Sequence, residues 1–186
     1  MLLVLKKLNF ESTRYDMLVY GKKQLMKPRV YIETTIPSFY FEIRTQPDMV
    51  ARKNWTVDWW NNFRSRFELV TSLPVIEELQ DGNHPNKNQA LELISKIPIL
   101  PVDDRVGIIV EAYVSNKLMP NNPKGDALHL SLASYYNCHF LLTWNCSHLA
   151  NANEFEHIRH INTLLGLSVP ILTTPIDLMI LKEIEK

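Results

Sequence analysis

Short apolar runs alternate with longer amphipathic segments along most of the chain. The apolar runs predict buried β-strands at residues 30–33, 68–71, 99–102, 139–143 and 169–173. The segments between them repeat apolar residues at helical spacing and predict helices at about residues 49–67, 73–82, 86–96, 104–117, 126–137, 155–165 and 176–184. This alternation predicts an α/β fold in which a central, mostly parallel, twisted sheet has helices on both faces.

Aromatic residues dominate one face of the first long helix. Four of them recur at intervals of four residues: Trp55, Trp59, Phe63 and Phe67. This spacing keeps their side chains on one side of a regular helix. Aromatic rings can stack on nucleic-acid bases, but packing in the core is the simpler interpretation of such a face.

Polar residues mark the starts of two later helices. Thr71 or Ser72 precedes Pro74, which fits the first turn of a helix. Asp103 or Asp104 stands before the apolar segment that follows the third predicted strand. We expect their side chains to accept hydrogen bonds from the first backbone amides of those helices.

The first 27 residues do not share the alternation of strand and helix. They contain two apolar stretches that predict short strands or a hairpin, and Met26 stands shortly before the first strand of the sheet. We therefore expect an N-terminal extension at residues 1–27, or a natural start at Met26. The remaining residues, 28–186, have the length of one domain.

The balance of charge limits the function classes that the chain fits. It carries 20 basic and 20 acidic side chains, so its formal net charge is zero. A neutral chain argues against a large non-specific nucleic-acid surface, although acidic metal ligands in a nuclease would offset a basic rim. Residues that suit such a rim, or simply solvated helix faces, are Arg44, Arg52, Lys53, Arg64, Arg66, Lys124 and Arg159.

Cysteine content and hydropathy point to a soluble protein of a reducing compartment. Only two cysteines occur and they form no CxxC motif, which favours a cytoplasmic location. No apolar run approaches the roughly 18 residues that cross a bilayer, so we expect no membrane segment.

Side chains with oxygen donors stand at comparable positions of the predicted strands and helices. Glu33 ends the first strand of the sheet, and Asn145 follows the strand at residues 139–143. Asp126 opens a helix, and Glu78 lies on another one. Ligands of such sheets bind beyond the carboxyl ends of the strands, and carboxylate and amide oxygens suit Mg²⁺ or Mn²⁺. The sequence therefore predicts a divalent-metal site.

Each of these residues also has a purely structural interpretation. Glu33 and Asp126 fit helix caps, and Asn145 fits a turn. Glu77 and Glu78 point about 100° apart on a helix, so periodicity does not decide which of them faces a cleft. His129 lies on the polar stripe of the Asp126 helix, where it could bind a metal, contact a phosphate or donate a hydrogen bond beside the site.

Four short segments together resemble a PIN domain. In chain order they are residues 30–34 (Val-Tyr-Ile-Glu-Thr), 78–79 (Glu-Leu), 125–130 (Gly-Asp-Ala-Leu-His-Leu) and 142–145 (Leu-Thr-Trp-Asn). The resemblance covers residues 28–175, and the subgroup that fits is the VapC-type toxins of bacterial and archaeal toxin–antitoxin pairs. It implies a three-layer PIN-like fold and a Mg²⁺- or Mn²⁺-dependent endoribonuclease. It also implies an RNA substrate, a homodimer and a cognate antitoxin as inhibitor.

The resemblance assigns four residues to catalysis and metal binding. The family's acids correspond to Glu33, Glu78, Asp126 and Asn145 in this sequence. Glu78 is favoured over Glu77 because the family's second acid usually precedes leucine. The first position is normally aspartate, and the extra methylene of Glu33 moves its carboxylate outward by about 1.5 Å. The fourth position is often aspartate, and Asn145 removes that charge.

Neighbouring residues have supporting roles in this scheme. Thr34 and Thr143 would orient ligands or a metal-bound water, and His129 would lie beside the site. Lys124 and His148 would contact the substrate's phosphates. The bound ion would polarise the scissile phosphate of the RNA and activate the attacking water.

Two other function classes stay open. The departures at Glu33 and Asn145 motivate a catalytically weak or inactive PIN-like scaffold that binds RNA or a protein partner. A metal-dependent phosphatase or a DNA flap nuclease is the third possibility, and the lack of a long arch insertion argues against it.

Overall fold

A computed structural model describes residues 27–118, 125–146 and 155–180 of the chain. It also describes the backbone of a short antiparallel pair, β1 (Leu18–Val19) and β2 (Lys22–Lys23). Apart from residue 27, the rest of the predicted N-terminal extension, Met26 included, lies outside the described residues. The division of the chain at residue 27 therefore stays a prediction.

Five strands form the central sheet, and all neighbouring strands are parallel. They are β3 (Arg29–Ile32), β4 (Glu68–Ser72), β5 (Ile99–Leu100), β6 (Phe140–Leu142) and β7 (Ile171–Thr173). Their spatial order is β5-β4-β3-β6-β7, so β3 lies at the centre. In its register, Tyr31 pairs with Val70 of β4 and with Leu141 of β6. The predicted α/β class with a parallel sheet is confirmed.

Helices connect the strands in two groups. In chain order they are α1 (Thr35–Tyr40), α2 (Pro47–Asp58), α3 (Leu73–Asp81), α4 (Lys87–Ile94), α5 (Asp104–Ser115), α6 (Asp126–Tyr135), α7 (Phe155–Leu165) and α8 (Pro175–Ile180). The connections from β3 to β5 progress in one direction along the sheet, and those from β5 to β7 run in the other. Right-handed crossovers then put α1–α4 on one face and α5–α7 on the opposite face. Among the described residues, no helix is both long and apolar enough to cross a membrane.

The core lies between the central strands and the two helical layers. Val30, Tyr31 and Ile32 of β3 are completely buried, as are Leu141 and Leu142 of β6. Strands that are buried on both faces have continuous apolar sequences, and this is the pattern from which these strands were predicted. Helix α6 is covered nearly all round as well, with seven of its residues buried.

The aromatic segment is not the single regular helix that its spacing predicts. Helix α2 ends at Asp58, and a π-helical turn (Trp59–Phe63) and a 3₁₀ turn (Arg64–Arg66) complete it. A π turn inserts an extra residue and rotates the chain that follows it. Both Trp59 and Trp60 in this turn are buried, whereas Trp55, which precedes it, keeps 38% of its surface exposed. The prediction that Trp55 shares one core face with the later aromatics is therefore wrong.

Asp103 caps α5 as predicted, but Ser72 does not cap α3 with its side chain. The Asp103 carboxylate accepts hydrogen bonds from the backbone N–H groups of Arg105 and Val106, at 3.0 and 3.1 Å. Ser72 has the extended backbone of an N-cap, but its hydroxyl makes no capping bond. It contacts the Tyr31 hydroxyl instead, 2.6 Å away. A polar contact inside the sheet thus replaces the expected cap.

Candidate metal centre

Polar side chains gather at the carboxyl ends of the three innermost strands. Glu33 follows β3, Ser72 ends β4 and Thr143 follows β6. The parallel register holds these ends level, and the Glu33 N–H donates to the Leu142 carbonyl of β6 at 3.3 Å. This edge of the sheet is the expected place for a ligand site in an open parallel sheet.

Glu33 is buried and fixed by three hydrogen bonds to one of its oxygens. Its Oε2 accepts from the Thr35 N–H at 3.1 Å, from the Thr35 hydroxyl at 2.5 Å and from the Thr143 hydroxyl at 2.8 Å. Only 5% of the residue is exposed. Burial raises the pKa of Glu33, and the charge of His129 and the donors on Thr35 and Thr143 offset that effect only in part.

Glu78 faces the same edge from helix α3, whereas Glu77 is exposed to solvent. The Thr34 hydroxyl donates a short hydrogen bond to Oε2 of Glu78. Partial burial raises the pKa of Glu78, but the hydrogen bond and charge of His129 and the bond from Thr34 outweigh it, so the net pKa is lowered. Of the two adjacent glutamates, Glu78 is therefore the one that faces the site.

His129 of helix α6 connects Glu78 to the interior of the sheet. Its Nε2 lies 3.2 Å from both carboxylate oxygens of Glu78. Its Nδ1 lies 2.9 Å from the hydroxyl of Tyr31, which in turn contacts Ser72. Burial lowers the pKa of His129, but the hydrogen bond to Glu78 and the charges of the surrounding carboxylates outweigh it and raise the pKa.

Glu33, Glu78 and His129 form a group that could hold a metal ion. One ligand atom from each of them lies within 4.8 Å of the other two. Neighbouring ligand atoms at about 2.0–2.2 Å from a shared ion are about 3–3.6 Å apart, so these side chains would have to draw together around an ion. Two carboxylates with one imidazole are a common donor set for divalent transition metals.

Asp126 and Asn145 lie next to this group but form a pair of their own. The Asn145 amide nitrogen donates to both carboxylate oxygens of Asp126, at 2.9 Å each. Asp126 is outside the three-residue group, although its charge contributes to the raised pKa of His129. The four residues that the sequence predicts as one oxygen set therefore divide into Glu33 with Glu78 and Asp126 with Asn145, and His129 joins the first pair.

The predicted supporting residues have different placements. Thr34 binds Glu78, and Thr143 binds Glu33 and also accepts the Asn145 N–H at 2.9 Å. Lys124 and His148 lie outside the described residues, so their predicted phosphate contacts stay predictions.

Sequence reasoning missed Tyr31, Thr35 and Ser72. Tyr31 lies in an apolar run and resembles a core residue. A buried tyrosine hydroxyl requires a hydrogen-bond partner, however, and that requirement could have predicted a polar contact inside the sheet. Thr35 follows Glu33 by two residues, which is the spacing at which a side chain and a backbone amide both reach the carboxylate.

No protein-family model matches the chain, and no curated protein matches it either.

Proposed function

We propose that this protein is a divalent-metal-dependent endoribonuclease of the PIN type and the toxin component of a toxin–antitoxin pair. The observation that carries the proposal is the group of Glu33, Glu78 and His129 beyond the central strands of a parallel sheet. The motif resemblance supports the RNA substrate, the cytoplasmic location, the homodimer and the cognate antitoxin.

Glu33, Glu78 and His129 would hold Mn²⁺ or Mg²⁺. The imidazole favours Mn²⁺, because Mg²⁺ prefers a shell made entirely of oxygen ligands. An ion held there would supply positive charge to polarise a phosphodiester and to make a coordinated water more acidic.

The side chains around the centre hold the ligands in place before any ion binds. Thr35 and Thr143 fix the Glu33 carboxylate, and Thr34 fixes that of Glu78. Because these ligands are already ordered, binding of an ion or substrate would cost less conformational entropy. The Asp126–Asn145 pair adds a negative group beside the centre.

RNA cleavage with matched acidic variants tests the proposal. Purified protein is incubated with a mixed RNA pool in Mn²⁺, in Mg²⁺ or in EDTA. We expect cleavage in Mn²⁺, weaker cleavage in Mg²⁺ and none in EDTA. Glu33→Gln and Asp126→Asn should abolish cleavage, whereas Glu77→Gln, one residue from Glu78 but exposed, should leave it unchanged. Metal-dependent cleavage that survives Glu33→Gln would contradict the assignment.

A catalytically inactive scaffold is the second candidate, and one observation favours it. All three acids have partners within the chain itself: Glu33 accepts from Thr35 and Thr143, Glu78 is paired with His129, and Asp126 with Asn145. Calorimetric titration with Mn²⁺ separates the candidates. A scaffold would bind RNA with no measurable Mn²⁺ affinity, whereas the nuclease would bind Mn²⁺ and lose that binding in Glu33→Gln.

A further inference from the structure

We infer that Trp55 is a stacking site for one base of single-stranded RNA, placed beside the metal centre. The Trp55 platform consists of Trp55, Trp144, Arg52 and Phe39. The inference deepens the proposed function and rests on it, because the platform would position the substrate of that reaction.

Trp55 keeps part of its surface accessible to solvent. It is 38% exposed, whereas its neighbours Trp59 and Trp60 are buried. Its ring stacks on that of Trp144 with centroids 6.0 Å apart and an interplanar angle of 26°. Exposing a large aromatic surface is unfavourable, so a ring held in the open is a candidate for binding a flat ligand.

Trp144 gives the platform a rigid base. Only 6% of the residue is exposed, and its indole N–H donates to the Thr56 hydroxyl at 2.7 Å. Its backbone N–H donates to the Thr35 hydroxyl at 2.8 Å. Both ends of the residue are thereby fixed, and a base stacked on Trp55 would meet an ordered support.

The same hydrogen bonds place the platform next to the metal centre. The Thr35 hydroxyl that accepts the Trp144 N–H donates to Oε2 of Glu33 at 2.5 Å. Two hydrogen bonds thus connect the platform to a ligand of the proposed ion. Asn145, which binds Asp126, is the next residue in the chain.

Arg52 adds positive charge at the edge of the platform. Its guanidinium lies 5.6 Å from the ring centroids of both Trp144 and Phe39. In the described part of the chain it forms no ion pair, whereas Arg44, also near Phe39, is bound to Glu42 at 2.5 Å. A guanidinium without an acidic partner, beside an exposed indole, offers one contact for a phosphate and one for a base.

These contacts favour single-stranded nucleic acid as the occupant. Every base has a flat π-face, so stacking on an aromatic side chain tolerates sequence, and arginine contributes both phosphate contact and cation–π attraction. The chain's zero net charge means that binding depends on a local site instead of a broad basic surface.

Binding of a fluorescently labelled short single-stranded RNA, followed by anisotropy in EDTA, tests the inference without requiring cleavage. Trp55→Ala should weaken binding roughly 5- to 150-fold, which is the range for losing one stacked base. Trp55→Phe should recover most of the affinity, and Trp55→Leu should not, because leucine supplies apolar contact without an aromatic face. Because Trp55 is partly exposed, all three variants should fold, and thermal unfolding checks this.

An arginine pair gives the matched control. Arg52→Gln should weaken RNA binding and flatten its salt dependence. By sequence alone Arg66 suits either a basic rim or a solvated helix face, and its place before the amino end of β4 favours the solvated face. Arg66→Gln should therefore change neither, although Arg66 also lies over an aromatic ring, 4.7 Å from the Phe63 centroid. Arg66 lies two residues before Glu68, the first residue of β4, and so lies toward the opposite edge of the sheet from Glu33.

The outcomes separate this inference from the proposed function. Unchanged RNA binding in Trp55→Ala, or wild-type affinity in Trp55→Leu, would overturn the stacking site even if the protein cleaves RNA in Mn²⁺. Loss of binding in Trp55→Ala from a protein that cleaves nothing would retain the stacking site and reject the nuclease. A wild-type protein with no affinity for the RNA would overturn the stacking site and leave Trp55 as a contact for a protein partner.

Discussion

The hydrogen bond from Thr143 to Glu33 allows a direct measurement of the charge on the buried carboxylate. Thr143→Val preserves the shape of the side chain but removes a hydroxyl that donates to Glu33 at 2.8 Å and accepts the Asn145 N–H at 2.9 Å. Thr71→Val is the matched control. Both threonines are fully buried, but the Thr71 hydroxyl donates only to the backbone carbonyl of Ile32, at 3.1 Å.

The expected magnitudes differ because one acceptor is charged and the other is neutral. A neutral hydrogen bond contributes about 1 kcal/mol to stability, and one to a charged group about 1.5–3 kcal/mol. We therefore expect Thr71→Val to cost about 1 kcal/mol at every pH. Thr143→Val should cost about 2.5–4 kcal/mol where Glu33 is ionised, since the Asn145 N–H also loses its partner.

The difference between the two variants should depend on pH in one direction. Thr143 stabilises the ionised form of Glu33, so its removal raises the pKa of that carboxyl further. The extra cost is then present above the folded-state pKa of Glu33 and disappears as the pH falls below it. Urea unfolding of both variants from pH 5 to pH 9 measures this. Parallel stability curves for the two variants across that range would refute the electrostatic argument.

Three further predictions concern other parts of the molecule. Saturating Mn²⁺ should stabilise the wild type by about 2.7 kcal/mol at 100 times its dissociation constant, and Glu33→Gln should lose this effect in thermal unfolding while Glu77→Gln retains it. Tyr31→Phe removes the buried hydroxyl that joins Ser72 to the imidazole and should cost about 1–3 kcal/mol in urea unfolding; a change below about 0.5 kcal/mol would argue against that link. Asp103→Ala should cost about 1 kcal/mol through loss of the helix cap, and unaltered stability would show that water replaces the carboxylate.

The sheet could be predicted from the sequence because burial on both faces leaves an unambiguous pattern. Each strand appears as a short apolar run, and the helix at residues 155–165 has the predicted bounds. The short helix α1 could not be predicted, because Thr35–Tyr40 has β-branched residues and a proline and too few positions to show a period. The π-helical turn could not be predicted either, because the interpretation of the aromatic segment assumes a regular α-helical repeat along its whole length.

The candidate site could be predicted residue by residue but not as a set. Strand ends and helix starts located Glu33, Glu78, Asp126 and Asn145 on the same edge of the sheet. Their pairing depends on which side chain reaches which, and sequence position does not carry that information. His129 joins Glu33 and Glu78 because the burial of α6 directs its imidazole toward them. The sequence alone did not decide whether this imidazole is a metal ligand or a hydrogen-bond partner.

The location of the site on three adjoining inner strands has a consequence for how it can be opened. Glu33 continues the central strand, whose neighbours on both sides also end at the site. Moving Glu33 away from Ser72 and Thr143 would break the middle of the sheet. The backbone amides around Glu33 should therefore exchange with deuterium only through global unfolding. Glu33 is therefore held as persistently as the sheet itself, whereas Glu78 and His129 reach it from helices α3 and α6. An inhibitor of the proposed activity would act by covering the open edge of the sheet, because it cannot displace Glu33 without unfolding the protein.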